Sequence, residues 1–156
     1  LERQLFELGA LAQVIDGDNL RLGLSRDLGF TPGERAENVR RAAAVAALLN
    51  DAGLIAIVAL VSPEDKARQA ALESIGAQRS LLVHLDAPVA VCRQRDERGL
   101  YARAERGEIL GLSGVSAPYE APPSPALTLA TGELDASGCV ERIVDLLRAR
   151  GWLEER

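Results

Sequence analysis

The chain has 156 residues, 47% of them hydrophobic, and a net charge of −5. This length fits one globular domain that buries roughly 70% of the surface its unfolded form exposes. The acidic balance argues against broad nucleic-acid binding, which normally needs a basic face. No apolar run approaches the ~18 residues of a membrane span, and the first residues lack a signal-peptide pattern, so we expect no membrane contact and a cytoplasmic location.

The first half of the chain predicts helix, strand, helix and strand in turn. LERQLFELG has the leucine spacing of a helix that stops at Gly9, and AQVID follows as a buried strand. The next helix begins after Thr31, which predicts an N-cap completed by Glu34 in a capping box. LIAIVALV is a continuous apolar run, typical of a parallel strand covered on both faces.

The second half continues the alternation. SPEDKARQAALESIGA predicts a helix, SLLVHLDAP a strand and VAVCRQRD the start of another helix. A long segment rich in Gly, Pro and Arg follows and is expected to be a mobile excursion. ALTLAT then predicts a strand and DASGCVERIVDLLRARG a closing amphipathic helix. This order predicts an α/β fold, a doubly wound parallel sheet with flanking helices and right-handed crossovers.

Polar side chains follow three of the predicted strands, where ligands collect on such sheets. Ser62 and Asp86 each precede a predicted helix, and capping alone would explain them. Asp16 and Asp18 are harder to explain as a solvated turn, because in an extended chain residues two apart point to the same side. Two such carboxylates repel unless a cation lies between them, and Mg²⁺ prefers one or two carboxylates plus phosphate oxygens.

Several motifs in series carry a family resemblance. DGDNLRLGLSRDLGF is followed by RAENVRR, by SP after a strand, by RDERGLYARAERGEI and by SAPYEAP. This order, from about Leu1 to Gly151, resembles the adenylylsulfate kinases, which have a P-loop nucleoside triphosphate hydrolase fold. The resemblance implies transfer of the ATP γ-phosphoryl group to the 3′-hydroxyl of adenosine 5′-phosphosulfate in sulfate assimilation. It also implies ATP and Mg²⁺ as cofactors, a homodimer and a possible fused or associated ATP sulfurylase.

The same resemblance assigns roles residue by residue. Asp16 would accept the 3′-hydroxyl proton or help to order Mg²⁺, Phe30 would stack on the substrate adenine, and Ser62 would contact substrate. The catalytic set is Asp16, Asp18 and Ser62, and the residue assigned to the metal is Asp16. The substrate-binding set implied by the resemblance is Arg21, Phe30, Arg35, Asn38, Val61, Ser62, Arg98 and Leu112. Residues 98–125 match a lid that closes over both nucleotides, and we call them the lid segment.

The chain also departs from the family pattern. The family usually has lysine in place of Arg98 and an aromatic residue in place of Leu112, and acidic residues here follow SP. No P-loop, GxxxxGK[ST], occurs, and the single lysine, Lys66, has no glycine near it. We therefore expect residues 1–156 to be an adenylylsulfate kinase-like domain truncated at its N-terminus, with a strand and P-loop upstream. The alternatives are a catalytically silent, nucleotide-binding regulatory domain of a sulfurylase fusion and, less favoured, another P-loop kinase of a small metabolite.

Overall fold

The computed structural model describes residues 1–153. The predicted alternation of strands and helices is confirmed, and two short helices add to it, one within the DGDN motif and one within the lid segment. The elements are α1 (Glu2–Glu7), β1 (Ala12–Asp16), α2 (Gly17–Leu20), α3 (Pro32–Asp51), β2 (Ile55–Ala59), α4 (Asp65–Ile75), β3 (Val83–Asp86), α5 (Val89–Gln94), α6 (Leu100–Glu105), β4 (Leu127–Ala130) and α7 (Ala136–Ala149).

All four strands pair in parallel, which confirms the α/β class. β1 pairs with β2, with Val14 opposite Ile57, and β3 pairs with β4, with Leu85 opposite Leu129. In the described chain the strands form two parallel pairs, and β2 and β3 are not hydrogen-bonded to each other or to a shared neighbour. The expected upstream strand stays a prediction.

Helices cover both faces of the β1–β2 pair, as the doubly wound prediction requires. On one side, Ile15 packs with Ala42 and Ala46 of α3, whose small side chains let the helix approach the strands closely. On the other side, Leu5 of α1 packs with α7 and with apolar residues of β2. This second cluster also includes a residue just before β3, so α1 and α7 hold the two strand pairs in one core.

The helix that carries part of the site, α3, begins where the sequence predicts. Thr31 Oγ1 accepts from the Glu34 backbone N–H at 3.4 Å, and Glu34 Oε2 accepts from the Thr31 backbone N–H at 3.0 Å. Pro32 in the first turn has the φ that a helix needs and lacks an N–H that would be left unpaired. This predicted capping box therefore fixes the entry to α3 and the positions of the polar residues in its first turns.

Two predicted helix caps are wrong. Ser62 does not cap α4, because the helix begins only after Glu64, and the Ser62 backbone adopts φ +40°. The Asp86 side chain does not cap α5, which begins after Pro88. In each case two further residues separate the polar residue from the first residue of the helix, which moves the polar residue out of the capping position. Within residues 1–153, no helix is both long and apolar enough to cross a membrane.

Candidate active site

The carboxyl ends of β1 and β2, together with the start of α3, enclose a cavity of about 210 Å³. Eight of the ten predicted site residues line it, and Arg98 and Leu112 do not. The lining residues are Asp16, Gly17, Asp18, Arg21, Phe30, Arg35, Asn38, Val39, Ala59, Leu60, Val61, Ser62 and Pro63. The fold thus brings together residues from three separate stretches of the sequence.

Asp16 has a structural role that the sequence analysis did not predict. It ends β1 and caps α2: its Oδ1 accepts from the backbone N–H groups of Asp18 and Asn19 at 3.0 and 2.9 Å. The expectation that Asp16 and Asp18 share one side of an extended chain is wrong, because the backbone turns into a helix after Asp16. The cap uses only Oδ1, so the second carboxylate oxygen, Oδ2, is available for a ligand.

Asp18 is paired with the beginning of the lid segment. Arg98 Nη1 donates to Asp18 Oδ2 at 2.8 Å, and both side chains are largely exposed to solvent. The hydrogen bond and the negative charge of Asp18 raise the pKa of Arg98, so the arginine stays charged. Arg98 therefore contacts the candidate site through Asp18, although it does not line the cavity.

Arg21 and Arg35 place two positive charges around one aromatic ring. The Cζ atoms of Arg21 and Arg35 lie 4.3 and 5.3 Å from the centroid of the Phe30 ring, and Phe30 is 56% exposed. Burial, followed by the nearby charge of Arg21, lowers the pKa of Arg35. A bound anion would offset that repulsion.

The hydrogen bonds of both arginines go to backbone carbonyl groups. Arg21 Nη1 donates to the carbonyls of Leu28 and Gly29 at 3.0 and 2.6 Å. Arg35 donates from Nε to the Phe30 carbonyl and from Nη2 to the Gly111 carbonyl, both at 3.1 Å. In the described chain no carboxylate lies within 4.0 Å of either guanidinium, so their positive charge remains for an anionic ligand.

Asn38 supplies an uncharged polar group to the cavity wall. Its side chain is 4% exposed, and its Oδ1 has no hydrogen-bond partner among the described residues. A buried amide oxygen without a partner is costly, so a ligand that donates to it would gain affinity. The same amide offers an NH₂ group that can donate to an anion.

The remaining predicted residues lie at the edge of the site. Val61 presents an exposed apolar side chain beside Ser62 at the end of β2. Leu112 is half-buried and follows Gly111, the lid-segment residue whose carbonyl accepts from Arg35. The lid segment thus contacts the candidate site at Asp18, at Arg35 and at the Pro63 carbonyl, which accepts from the Glu120 backbone N–H at 2.9 Å.

The sequence analysis missed Gly17 and Arg68. A Cβ added at Gly17 would lie 2.6 Å from Leu60 Cδ2, so a side chain there would push against the side chain of Leu60, which follows β2 and lines the cavity. Arg68 is a buried charge on α4 that contacts the backbone of Ser62. The glycine of the DGDN motif was a visible signal for Gly17. Arg68 gave no such signal, because it lies in a helix whose sequence looks exposed.

The fit of the site to Mg²⁺ depends on its aspartates. The described residues hold no cluster of three or more potential metal-binding side chains. Mg²⁺ needs only one or two protein carboxylates when substrate phosphates supply further oxygens. Asp16, with Oδ2 not used by the helix cap, fits such a site, and Asp18 fits it once Arg98 releases its carboxylate.

Comparison with known proteins shows the family to which the chain belongs. The family model described as adenylylsulphate kinase matches residues 1–130. An adenylyl-sulfate kinase of Bacteroides fragilis is 43% identical over 150 residues, covering 96% of this chain and 74% of that protein. A bifunctional enzyme CysN/CysC of Rhodopirellula baltica is 42% identical over 154 residues, covering 99% of this chain and 24% of that protein. This chain therefore spans about a quarter of the bifunctional relative.

A solved structure gives the same assignment. The Mycobacterium tuberculosis APS kinase CysC in complex with AMPPNP and APS superposes with a TM-score of 0.88 and 41% identity, covering 94% of this chain and 86% of that chain. The chain belongs to the adenylylsulphate kinase family, the enzymes that transfer the γ-phosphoryl group of ATP to the 3′-hydroxyl of adenosine 5′-phosphosulfate.

Proposed function

We propose that the 210 Å³ cavity binds adenosine 5′-phosphosulfate as the phosphoryl acceptor. The observation that carries this proposal is the placement of Arg21 and Arg35, with no carboxylate partner in the described chain, around the exposed ring of Phe30. An aromatic face suits an adenine base, and two guanidinium groups suit the phosphosulfate anion. The mycobacterial relative was solved with AMPPNP and APS, which supports the same pair of nucleotides here.

In this proposal Asp16 acts on the acceptor hydroxyl. As the 3′-oxygen attacks the γ-phosphorus of ATP, its proton moves to Asp16 Oδ2, the oxygen that the helix cap leaves free. The new bond joins the 3′-oxygen to phosphorus, and the bond between that phosphorus and the β-phosphate oxygen breaks to release ADP. The cap fixes the carboxylate in one orientation, so no reorganisation is needed at the moment of transfer.

The other residues bind and enclose the substrates. Arg21, Arg35 and Asn38 would hold the anionic end of the acceptor, and Val61 and Ser62 would form the opposite wall. With Asp16 Oδ2 on the acceptor hydroxyl, Mg²⁺ would be held by Asp18 and substrate phosphate oxygens and would neutralise charge on the transferred phosphoryl group. The lid segment would exclude water through its contacts at Asp18 and Arg35, which protects ATP from hydrolysis. The homodimer and the cytoplasmic location stay predictions.

The experiment is calorimetric titration of the full chain with adenosine 5′-phosphosulfate and, separately, with adenosine 5′-monophosphate. The two ligands share the base, ribose and one phosphate but differ in the sulfate. We expect the unaltered chain to bind adenosine 5′-phosphosulfate more tightly than adenosine 5′-monophosphate. Arg35→Ala should weaken the binding of the phosphosulfate about tenfold, the usual effect of losing a charge-assisted hydrogen bond, and so remove most of this preference.

Arg79→Ala is the matched control, because Arg79 forms its ion pair with Asp51 outside the cavity lining. This variant should bind both ligands as the unaltered chain does. Equal affinity of the unaltered chain for the two ligands, or no binding of either, would overturn the proposal.

A further inference from the structure

Arg68 is a buried charge that the proposed mechanism does not use. It lies in the first turns of α4, is 5% exposed and does not line the cavity. Burying an arginine is costly unless its hydrogen bonds are satisfied, and helix position alone does not require one here. Its contacts therefore indicate what the residue does.

The guanidinium joins the start of α4 and the loop before it to a segment 52 residues further along the chain. Nη1 donates to the Ser62 carbonyl at 2.6 Å, and Nη2 donates to the Glu120 carbonyl at 2.6 Å and to Asp65 Oδ1 at 3.0 Å. Cζ also lies 5.9 Å from the centroid of the Tyr119 ring. One side chain thus connects the loop between β2 and α4, the start of α4 and the C-terminal part of the lid segment.

The residue held by Nη1 has an unusual backbone. Among residues 1–153, Ser62 is the single non-glycine residue with positive φ, at +40°. Such a conformation is strained for a residue with a side chain and persists only where the surroundings hold it. The hydrogen bond from Arg68 to the Ser62 carbonyl supplies such a restraint, and the adjacent Pro63 is buried.

The lid segment is held at the same point. Glu120 Oε2 accepts from the Asp65 backbone N–H at 2.6 Å, and the Glu120 backbone N–H donates to the Pro63 carbonyl at 2.9 Å. The Tyr119 ring also stacks on His84 of β3, with centroids 6.1 Å apart. The C-terminal part of the lid segment is thus fixed to the loop that ends at α4.

From these contacts we infer that Arg68 is a positioning residue for the acceptor site. It holds Ser62 in its positive-φ conformation, so that Val61 and Ser62 line the cavity, and it fixes one end of the lid segment beside them. The consequence for acceptor binding rests on the proposed function. The consequence for the Ser62 backbone does not depend on it.

The test compares Arg68→Ala and Arg68→Lys by two measurements on the full chain. The first is the affinity for adenosine 5′-phosphosulfate by calorimetry, and the second is the Ser62 HN–Hα coupling and carbon chemical shifts by NMR. We expect Arg68→Ala to weaken binding about tenfold or more and to shift the Ser62 signals away from positive φ. Lysine keeps the charge and one donor, so Arg68→Lys should recover part of both effects.

A variant destabilised elsewhere separates positioning from general loss of structure. Val144→Ala removes core packing on α7, away from the cavity lining, and should leave both the affinity and the Ser62 signals unchanged at a temperature where the chain is folded. Unchanged Ser62 signals in Arg68→Ala would overturn the inference. Equal weakening of binding by Val144→Ala and Arg68→Ala would also overturn it.

Two further outcomes are also decisive. If Arg68→Ala does not fold, Arg68→Lys carries the test by the same two measurements, and wild-type values for both would overturn the inference. If the unaltered chain binds no adenosine 5′-phosphosulfate, the proposed function fails. The Ser62 signals of the Arg68 variants then decide alone whether Arg68 holds this loop.

Discussion

At the scale of single residues, Asp16 combines a structural role with a proposed chemical one. Oδ1 caps α2, while Oδ2 is the proposed proton acceptor. Asparagine caps a helix about as well as aspartate, but it cannot accept a proton in the same way. Substitutions at this position can therefore separate the two roles.

We predict that Asp16→Asn changes the free energy of unfolding by less than about 0.5 kcal/mol, whereas Asp16→Ala lowers it by about 1 kcal/mol, the usual value of a lost N-cap. Urea unfolding of the two variants beside the unaltered chain measures the difference. Equal destabilisation by the two substitutions would show that the carboxylate charge, and not the cap, stabilises this turn.

The capping box of α3 and the cap formed by Asp16 show what the sequence could predict at this scale. Thr31 and Glu34 have the spacing of a known motif, so their contact follows from local sequence alone. Asp16 ends β1 as the sequence predicts, but its cap of α2 was not predictable, because a four-residue helix leaves no periodic pattern by which to recognise it. Arg68 gave no local signal because its partner Glu120 lies 52 residues away in sequence.

At the scale of elements, an ionic network fastens the segment after α2 onto α3. Arg41 donates to Asp27 Oδ1 at 2.6 Å and to Glu37 Oε1 at 2.9 Å, and Arg40 donates to Glu37 Oε2 at 2.7 Å. The hydrogen bond from Arg41 lowers the pKa of Asp27 to about 2. Hydrogen bonds from Arg40 and then Arg41 lower the pKa of Glu37 to about 2.

These shifts predict how stability depends on pH. Both carboxylates have a lower pKa in the folded chain than their ordinary values of 3.8 and 4.5, so the unfolded chain binds protons first as the pH falls. The network contributes fully above about pH 4.5, and its contribution is lost between that pH and about pH 2. Thermal unfolding at low salt across this range should show the loss, because exposed pairs are screened by salt.

Arg41→Gln tests the assignment of this pH dependence to the network. Without the guanidinium, the pKa values of Asp27 and Glu37 should rise towards their ordinary values, so the loss of stability between pH 4.5 and 2 should be smaller than in the unaltered chain. Arg3→Gln is the matched control, since Arg3 forms an exposed pair with Glu7 on α1. An unaltered acid slope in Arg41→Gln would contradict the prediction.

At the scale of the whole molecule, the order of elements was predictable but their pairing was not. The spacing of apolar residues identifies strands and helices one at a time. The crossovers that join parallel strands are visible in the sequence only as the helices between them. Which strands hydrogen-bond is decided by non-local contacts, and here they form two pairs under a shared layer of α1 and α7. The cavity lies at the carboxyl ends of the first pair, so its location followed from the fold class.

Because Leu5 lies in the layer formed by α1 and α7, we expect its substitution to lower the stability of the whole fold. Leu5 is 0% exposed and packs with Val144, Leu147 and Leu153 against residues of β1 and β2 and against Leu81, which lies just before β3, whereas its neighbour Phe6 is 73% exposed. We predict that Leu5→Ala lowers the free energy of unfolding by about 2–5 kcal/mol, the usual cost of a cavity in a packed core. Phe6→Ala removes a larger side chain and should cost less than about 0.5 kcal/mol, because an exposed position leaves no cavity. Denaturant unfolding of the two variants decides the matter: similar losses would mean that the α1–α7 layer is not the core that joins the two strand pairs.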